Sequence, residues 1–197
     1  MQLENYDNQD GYRVVLTTTE RSDLAEEIEN THSSISWQLA SYCGLRRQEI
    51  EHVRFRDVRK RETGDWILRV WEDGAKRGKY RETPIPHSVA VRINTVQETG
   101  EVNPDDTIIQ QSMRTCTRHL KQAAAELQEE NGDEGWQHVR LHDGRRTWAN
   151  SLLDNDVSPL QVMEWGSWDD WITFREHYLQ KFTAEKQSRE ISKVDWL

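Results

Sequence analysis

The sequence predicts a mainly α-helical α+β domain with one small antiparallel β-sheet. Three observations carry that expectation. Apolar residues recur at helical spacing through most of the chain, two short strand-like runs flank a single Asp73-Gly74 turn, and no repeat or low-complexity linker divides the 197 residues. Residues 1–18 read as an extended N-terminal arm, 19–182 as the domain and 183–197 as a charged C-terminal tail. Ser22, followed by Asp23, caps a first helix to about Asn30, with Leu24 and Ile28 on one face. Ser33 or Ser34 opens a second, in which Ile35, Leu39, Tyr42 and Cys43 share a stripe and Gly44 supplies the stop. A third runs from Arg47 to Val53. Trp66 to Trp71 and Arg81 to Ile85 form the two strands, closed by Pro84 and Pro86. Further helices are expected over about 88–98 and 112–130, the latter stopped by Asn131-Gly132, and then over 141–153, 158–165 and 170–182.

Composition narrows the function classes. With 31% charged residues and 35% in the AVILMFWYC set, the chain reads as globular with a very polar surface. Its apolar runs are a few residues long and its N-terminus has neither a basic nor an apolar leader segment, so neither a membrane span nor a signal peptide is expected. Cys43 and Cys116 stand in separate segments, as in a reducing compartment, and the expectation is a cytoplasmic protein. A net charge of −9 alone argues against a polyanionic partner. The distribution reverses that argument: windows 45–61, 76–81, 114–121 and 140–146 hold 17 of the 26 basic residues and 4 of the 35 acidic ones, a local charge of +13. Such segregation suits nucleic acid held on one face; the plainer alternative is that charge runs solvate helix faces. The basic residues are 19 Arg and 7 Lys, and an acidic, lysine-poor surface is what a salt-rich cytoplasm selects.

Four segments concentrate the chemistry. They are Tyr42-Cys43-Gly44-Leu45-Arg46-Arg47-Gln48-Glu49-Ile50, Lys76-Arg77-Gly78-Lys79-Tyr80-Arg81-Glu82-Thr83-Pro84-Ile85-Pro86, His142-Asp143-Gly144-Arg145-Arg146-Thr147-Trp148-Ala149 and Phe174-Arg175-Glu176-His177-Tyr178-Leu179. In this order they resemble the boxes of the catalytic domain of the tyrosine recombinase (phage integrase) family, over about Leu16 to Leu179. The resemblance implies that family's catalytic-domain fold. It also implies a site-specific DNA recombinase or integrase that cleaves and rejoins DNA through a 3′-phosphotyrosine, with no metal or other cofactor. It places the first catalytic arginine on Arg46 with Glu49 as its acidic partner, the hairpin lysine on Lys76, the His-x-x-Arg box on His142 and Arg145, and the nucleophile on Tyr178.

One departure stands out. The family usually sets a His, sometimes a Trp, directly after a Gly about nine residues before the tyrosine. Here Gly166 is followed by Ser167 and then Trp168, so a third phosphate contact falls to Ser167 or Trp168. Arg47, Arg77, Lys79, Arg81, Arg114, Arg118 and Arg146 complete the set as candidate DNA-binding residues. The implied partners are double-stranded DNA and, through the tail ending in Val194-Asp195-Trp196-Leu197, further copies of the chain on that DNA; no membrane is implied. Residues 1–20 are too short for the helical clamp that family members carry N-terminally, which fits a minimal recombinase or one domain of a longer protein.

Plainer readings stay open for single residues. Arg46 and Arg145 would serve equally as surface salt bridges to Glu49 and Asp143, and Tyr178 as part of a core stripe with Trp171 and Phe174. Cys116 and His119, three apart, lack a second pair of ligands and read as ordinary packing rather than a metal site. The competing functions are a type IB topoisomerase-like relaxing enzyme and a catalytically silent DNA-binding regulator of the same fold.

Overall fold

Nine of the thirteen residues of helix α2 (Thr31–Cys43) are buried, and neighbouring helices pack against it from several sides. The computed structural model describes residues 1–6, 10–72, 79–178 and 190–194. Strands β1 (Gln2–Asn5) and β2 (Tyr12–Val15) form an antiparallel hairpin, followed by α1 (Thr18–Glu27) and α2. Next come α3 (Arg47–His52) and a three-stranded antiparallel sheet of β3 (Val58–Lys60), β4 (Trp66–Val70) and β5 (Arg81–Pro84), in that order. Helices α4 (His87–Thr99), α5 (Met113–Asn131), α6 (Leu141–Asp154), α7 (Pro159–Gly166) and α8 (Trp171–Tyr178) complete the described elements. This is the mainly helical α+β architecture expected, and no described helix is long and apolar enough to cross a membrane.

Three apolar clusters hold the elements together. Ile35, Leu39 and Cys43 of α2 pack on Ile50, Phe55, Leu68 and Ile93, which seats the sheet and α4 on one side. On the other, Trp37 joins Val14, Leu16, Leu24, Leu120 and Trp136, binding α1, α5 and strand β2. The third cluster, Trp148, Leu153, Val162, Met163 and Phe174, fastens α7 and α8 to α6.

Several boundaries differ from the sequence reading. The first helix starts at Thr18 rather than Ser22, because Thr17 caps it and Glu20 Oε2 in turn accepts from the Thr17 amide at 2.8 Å. Asn30 rather than Ser33 or Ser34 caps α2, and both serines are buried inside it. Strand β3 escaped the sequence reading since Val58-Arg59-Lys60 is short and mostly polar; it forms by pairing with β4, Val58 opposite Leu68. The arm is a hairpin whose second strand is built into the domain: the Val14 amide donates to Asp143 Oδ1 at 3.2 Å and the Leu16 amide to Thr147 Oγ1 at 3.1 Å.

Two glycine stops separate backbone strain from crowding. Gly44 ends α2 at φ 68°, and a Cβ there would lie 2.3 Å from the Trp148 ring. Gly132 ends α5 at φ 73° with open space where its Cβ would be. Gly132→Ala is expected to cost about 1–2 kcal/mol, the left-handed penalty alone. Gly44→Ala adds an overpacking term, for a total of about 2–5 kcal/mol. Urea unfolding of the two variants checks this; equal losses would mean that Trp148 yields to the methyl group.

Candidate active site

The stop at Gly44 turns the chain so that Arg46 sits at the N-terminus of α3. There the carboxylate of Glu49, in the first turn, accepts from the Arg46 amide at 2.6 Å through Oε2 and from Arg46 Nη1 at 3.0 Å through Oε1. Glu49 is fully buried, and Arg81 at the start of β5 also reaches it, Nη2 donating to Oε2 at 2.7 Å. Burial pushes the Glu49 carboxyl upward, but Arg81, Arg145 and the amide and guanidinium of Arg46 outweigh it and hold the group below the usual carboxylate range.

Arg145 enters from α6, 1% exposed. Its Nη1 donates to the Gly44 carbonyl and its Nη2 to the Gly166 carbonyl at 2.5 Å, while the Trp168 ring lies over the guanidinium at 3.9 Å. Burial, then Arg46 and Arg81, lower its pKa to about 9 against the pull of Glu49 and Tyr178, so it stays charged at neutral pH.

The end of α7 gathers all three guanidinium groups. Arg81 Nη1 donates to the Trp165 carbonyl, Arg145 to that of Gly166, and Arg46 Nη2 to that of Ser167 at 3.0 Å. These are successive carbonyls at a helix C-terminus, where the unsatisfied acceptors and the negative end of the dipole favour cations. Trp168 then stacks beside Trp148 and meets Phe174 and Tyr178 edge-on, with centroids 5.1 and 5.3 Å away. Tyr178 is half-buried, with the Arg146 guanidinium 6.0 Å from its ring centre. His142 is exposed on α6, one turn before Arg145.

The structure thus brings together Arg46, Glu49, Arg145, Ser167, Trp168 and Tyr178. Two of the expected DNA-binding residues lie inside the protein. Arg81 and Arg146 are buried at 6% and 7% exposure, Arg81 because Glu49 and Trp165 hold it inside, and Arg146 because it lies against Asp143, 4.0 Å away, and Tyr178. Arg47 and Lys79 are exposed and pair with Glu51 at 3.6 Å and Asp169 at 2.7 Å. Arg114 and Arg118 are exposed on α5 beside His119, which hydrogen-bonds Ser33 about 16 Å of helix rise from Gly44. Lys76 and Arg77 lie outside the described residues. Arg145 makes no surface bridge to Asp143, whose oxygens serve the Val14 and Arg140 amides. Of the stripe on α8, Trp171 is 42% exposed and Phe174 is buried. Cys116 and His119 each have a separate polar neighbour, Gln111 and Ser33.

Sequence reasoning missed the structural part of Arg81, which pairs with a residue 32 positions away. It also missed the carbonyls of residues 165–167, for which a sequence carries no signal.

The model of the phage integrase family matches residues 14–185. Among solved structures the chain is similar to the XerA recombinase at 17% identity and a TM-score of 0.66, over 91% of this chain and 64% of that one. It is similar to the XerH site-specific recombinase bound to its palindromic difH substrate in a post-cleavage complex at 14% identity and 0.69, over 90% and 52%. The catalytic domain of bacteriophage HP1 integrase is similar at 13% identity and 0.61, over 90% and 94%. At such identities the likeness shows the fold, and the chain spans less than two thirds of the XerA and XerH chains. No curated protein sequence matches it.

The lowered Glu49 pKa has a thermodynamic signature. Stability from the charged carboxylate is complete above its ordinary pKa of about 4.3 and disappears as pH falls through the lower folded value. Glu49→Gln is expected to cost about 3 kcal/mol or more at pH 7, because it leaves buried guanidinium groups without their counter-charge. The gap between the two proteins should narrow below about pH 4. Urea unfolding across pH measures it; a constant gap would show that the carboxylate's charge is not what the network uses.

Proposed function

The chain belongs to the phage integrase family of tyrosine recombinases, and from that premise we propose that it cleaves and rejoins duplex DNA in site-specific strand exchange, through a 3′-phosphotyrosine on Tyr178. The observation that supports this most is the meeting of Arg46, Arg145 and Tyr178, from three distant stretches of chain, at the one turn after α7. The palindromic difH substrate bound by the similar XerH site-specific recombinase, and the circular intermediate DNA bound by the similar Tn1549 transposon integrase, support DNA as the substrate class.

In the proposed reaction the Tyr178 hydroxyl attacks phosphorus in line, the bond to the 5′-oxygen breaks, and reversal by the 5′-hydroxyl of another strand rejoins the backbone. A phenol is almost wholly protonated at neutral pH and a 5′-alkoxide is a poor leaving group, so one proton must leave and another arrive. In this reading His142, exposed one turn from Arg145, binds the phosphate or helps take the tyrosine proton. Lys76, which falls between β4 and β5 in the sequence, is the proposed general acid. Arg46, Arg81 and Arg145 against Glu49 leave an excess of two positive charges. A phosphodiester carries one negative charge and its pentacovalent transition state gathers a second, so this excess favours the transition state over the ground state. The covalent intermediate conserves bond energy and calls for no cofactor. Further copies of the chain would bind through the 183–197 tail, of which residues 190–194 are described.

One observation favours a second reading. Arg145 is 1% exposed beneath Trp168, and both of its terminal nitrogens already serve backbone carbonyls. That arrangement suits a DNA-binding regulator that keeps the fold without the chemistry. Supercoiled plasmid separates the possibilities: covalent adduct with recombinant product supports the recombinase, relaxation alone a topoisomerase-like enzyme, and a mobility shift without adduct the regulator. Tyr178→Phe is expected to abolish adduct formation while DNA binding stays within about twofold, since only a hydroxyl is lost. An adduct formed by the Phe variant would remove Tyr178 from the chemistry.

Lys76 is tested by its leaving group. Lys76→Ala is expected to slow cleavage about 10²–10⁴-fold on ordinary DNA, the scale of positioned acid catalysis. On a substrate with sulfur at the bridging 5′ position, which departs as a stable thiolate, the defect should vanish. Arg46→Ala and Arg145→Ala should stay impaired there, because their defect lies at the non-bridging oxygens. Equal Lys76→Ala defects on both substrates, relieved by low salt, would make Lys76 a phosphate clamp instead.

A further inference from the structure

We infer that Arg81 is a positioning residue of the site: by gripping Glu49 and the Trp165 carbonyl at once, it sets the phosphate-binding arginines against the turn that leads to the nucleophile. The inference rests on the strand-exchange reading, and it gives a buried structural task to a residue whose sequence context suggested a surface clamp.

The geometry is that of a fork with two different targets. One arm, Nη2, takes Glu49 Oε2 at 2.7 Å, the oxygen that also holds the Arg46 amide, while Oε1 holds the Arg46 side chain at 3.0 Å. The other arm, Nη1, takes the Trp165 carbonyl, immediately before the carbonyls that hold Arg145 and Arg46. Arg81 therefore touches both sides of the junction, α3 and the end of α7. Its own base is rigid: it opposes Val70 in the sheet, and two residues on, Thr83 Oγ1 donates to the Cys43 carbonyl at the end of α2 at 2.9 Å. A lysine, with one nitrogen at the end of a flexible stem, cannot span both targets with a planar fork.

The test compares Arg81→Lys and Arg81→Ala with the parent chain. It uses single-turnover adduct formation on supercoiled plasmid, affinity for a short duplex across salt, and amide exchange. A positioning role predicts that Arg81→Lys slows adduct formation by about 10²-fold, the usual consequence of an ångström-scale misplacement. Duplex affinity and its salt slope should be unchanged, and exchange at residues 165–168 should accelerate while global unfolding moves little. If Arg81→Ala fails to fold, the Lys variant carries the test alone. Weaker binding with a slope shallower by about 0.9 would mean that Arg81 contacts a phosphate, and would overturn the inference. So would a lowered melting temperature with an unchanged rate per folded molecule. If the parent chain itself gives no adduct, the strand-exchange reading falls. Exchange at 165–168 still decides whether Arg81 holds the turn, and unchanged exchange there would overturn that too.

Discussion

Three guanidinium groups share one buried carboxylate, and the structure around them is arranged to tolerate the imbalance. Taking an uncompensated cation out of water costs several kcal/mol even after relaxation. Arg46 retains 23% side-chain exposure, but Arg81 and Arg145 are buried and both are shifted toward easier deprotonation, burial being the first cause. Arg81 Nε even lacks a hydrogen-bond partner. What offsets the excess, besides Glu49, is backbone: the Gly44 carbonyl where α2 stops and the carbonyls of residues 165–167 where α7 stops. Two helices must therefore end at the same place. That is why α2 closes on a left-handed glycine against Trp148, and why α7 is only eight residues long.

The parts of this arrangement differ in how far a sequence displays them. The helices announced themselves by spacing and by stops such as Gly44 and Gly132, which hold the left-handed geometry expected of them. Arg46 and Glu49 were readable as a pair because they are three residues apart on one helical turn. The burial of Arg81 and Arg146 was hidden for one physical reason. A cluster of charges looks the same whether it faces water or a buried counter-charge, and the groups that bury Arg81, Glu49 and the Trp165 carbonyl, lie 32 and 84 positions away. Strand β3 was invisible because its stability comes from β4, not from Val58-Arg59-Lys60.

The N-terminal hairpin shows the same dependence from the other end. Its second strand is too short to be stable alone. It is held by Val14 and Leu16, buried beside Trp37 and Trp136, and by two side chains of α6, Asp143 and Thr147, that accept its amides. Asp143 also accepts from the Arg140 amide at 2.9 Å, at the start of the helix that carries His142 and Arg145. Burial raises the Asp143 pKa despite these hydrogen bonds, so the carboxylate bears a cost to hold strand and helix together. The segment that reads as an arm thus fixes where α6 begins.

The altered spacing after Gly166 follows from the same charge problem. Ser167 adopts φ 55° and ψ 52°, a left-handed conformation that costs a non-glycine residue about 1–2 kcal/mol. That conformation directs the Ser167 carbonyl to Arg46 and folds Trp168 back over Arg145. An indole face is a good cover for a buried guanidinium: it attracts the cation while excluding water, and it leaves the planar edge of the group to its hydrogen bonds. The same ring packs edge-on against Phe174 and Tyr178, so the cover of the arginine is also the floor beneath the proposed nucleophile. A residue chosen only to hydrogen-bond a phosphate would not link Arg145 to α8 in this way. The extra residue between Gly166 and Trp168 is therefore intelligible as the turn needed to bring a large aromatic ring onto a buried cation.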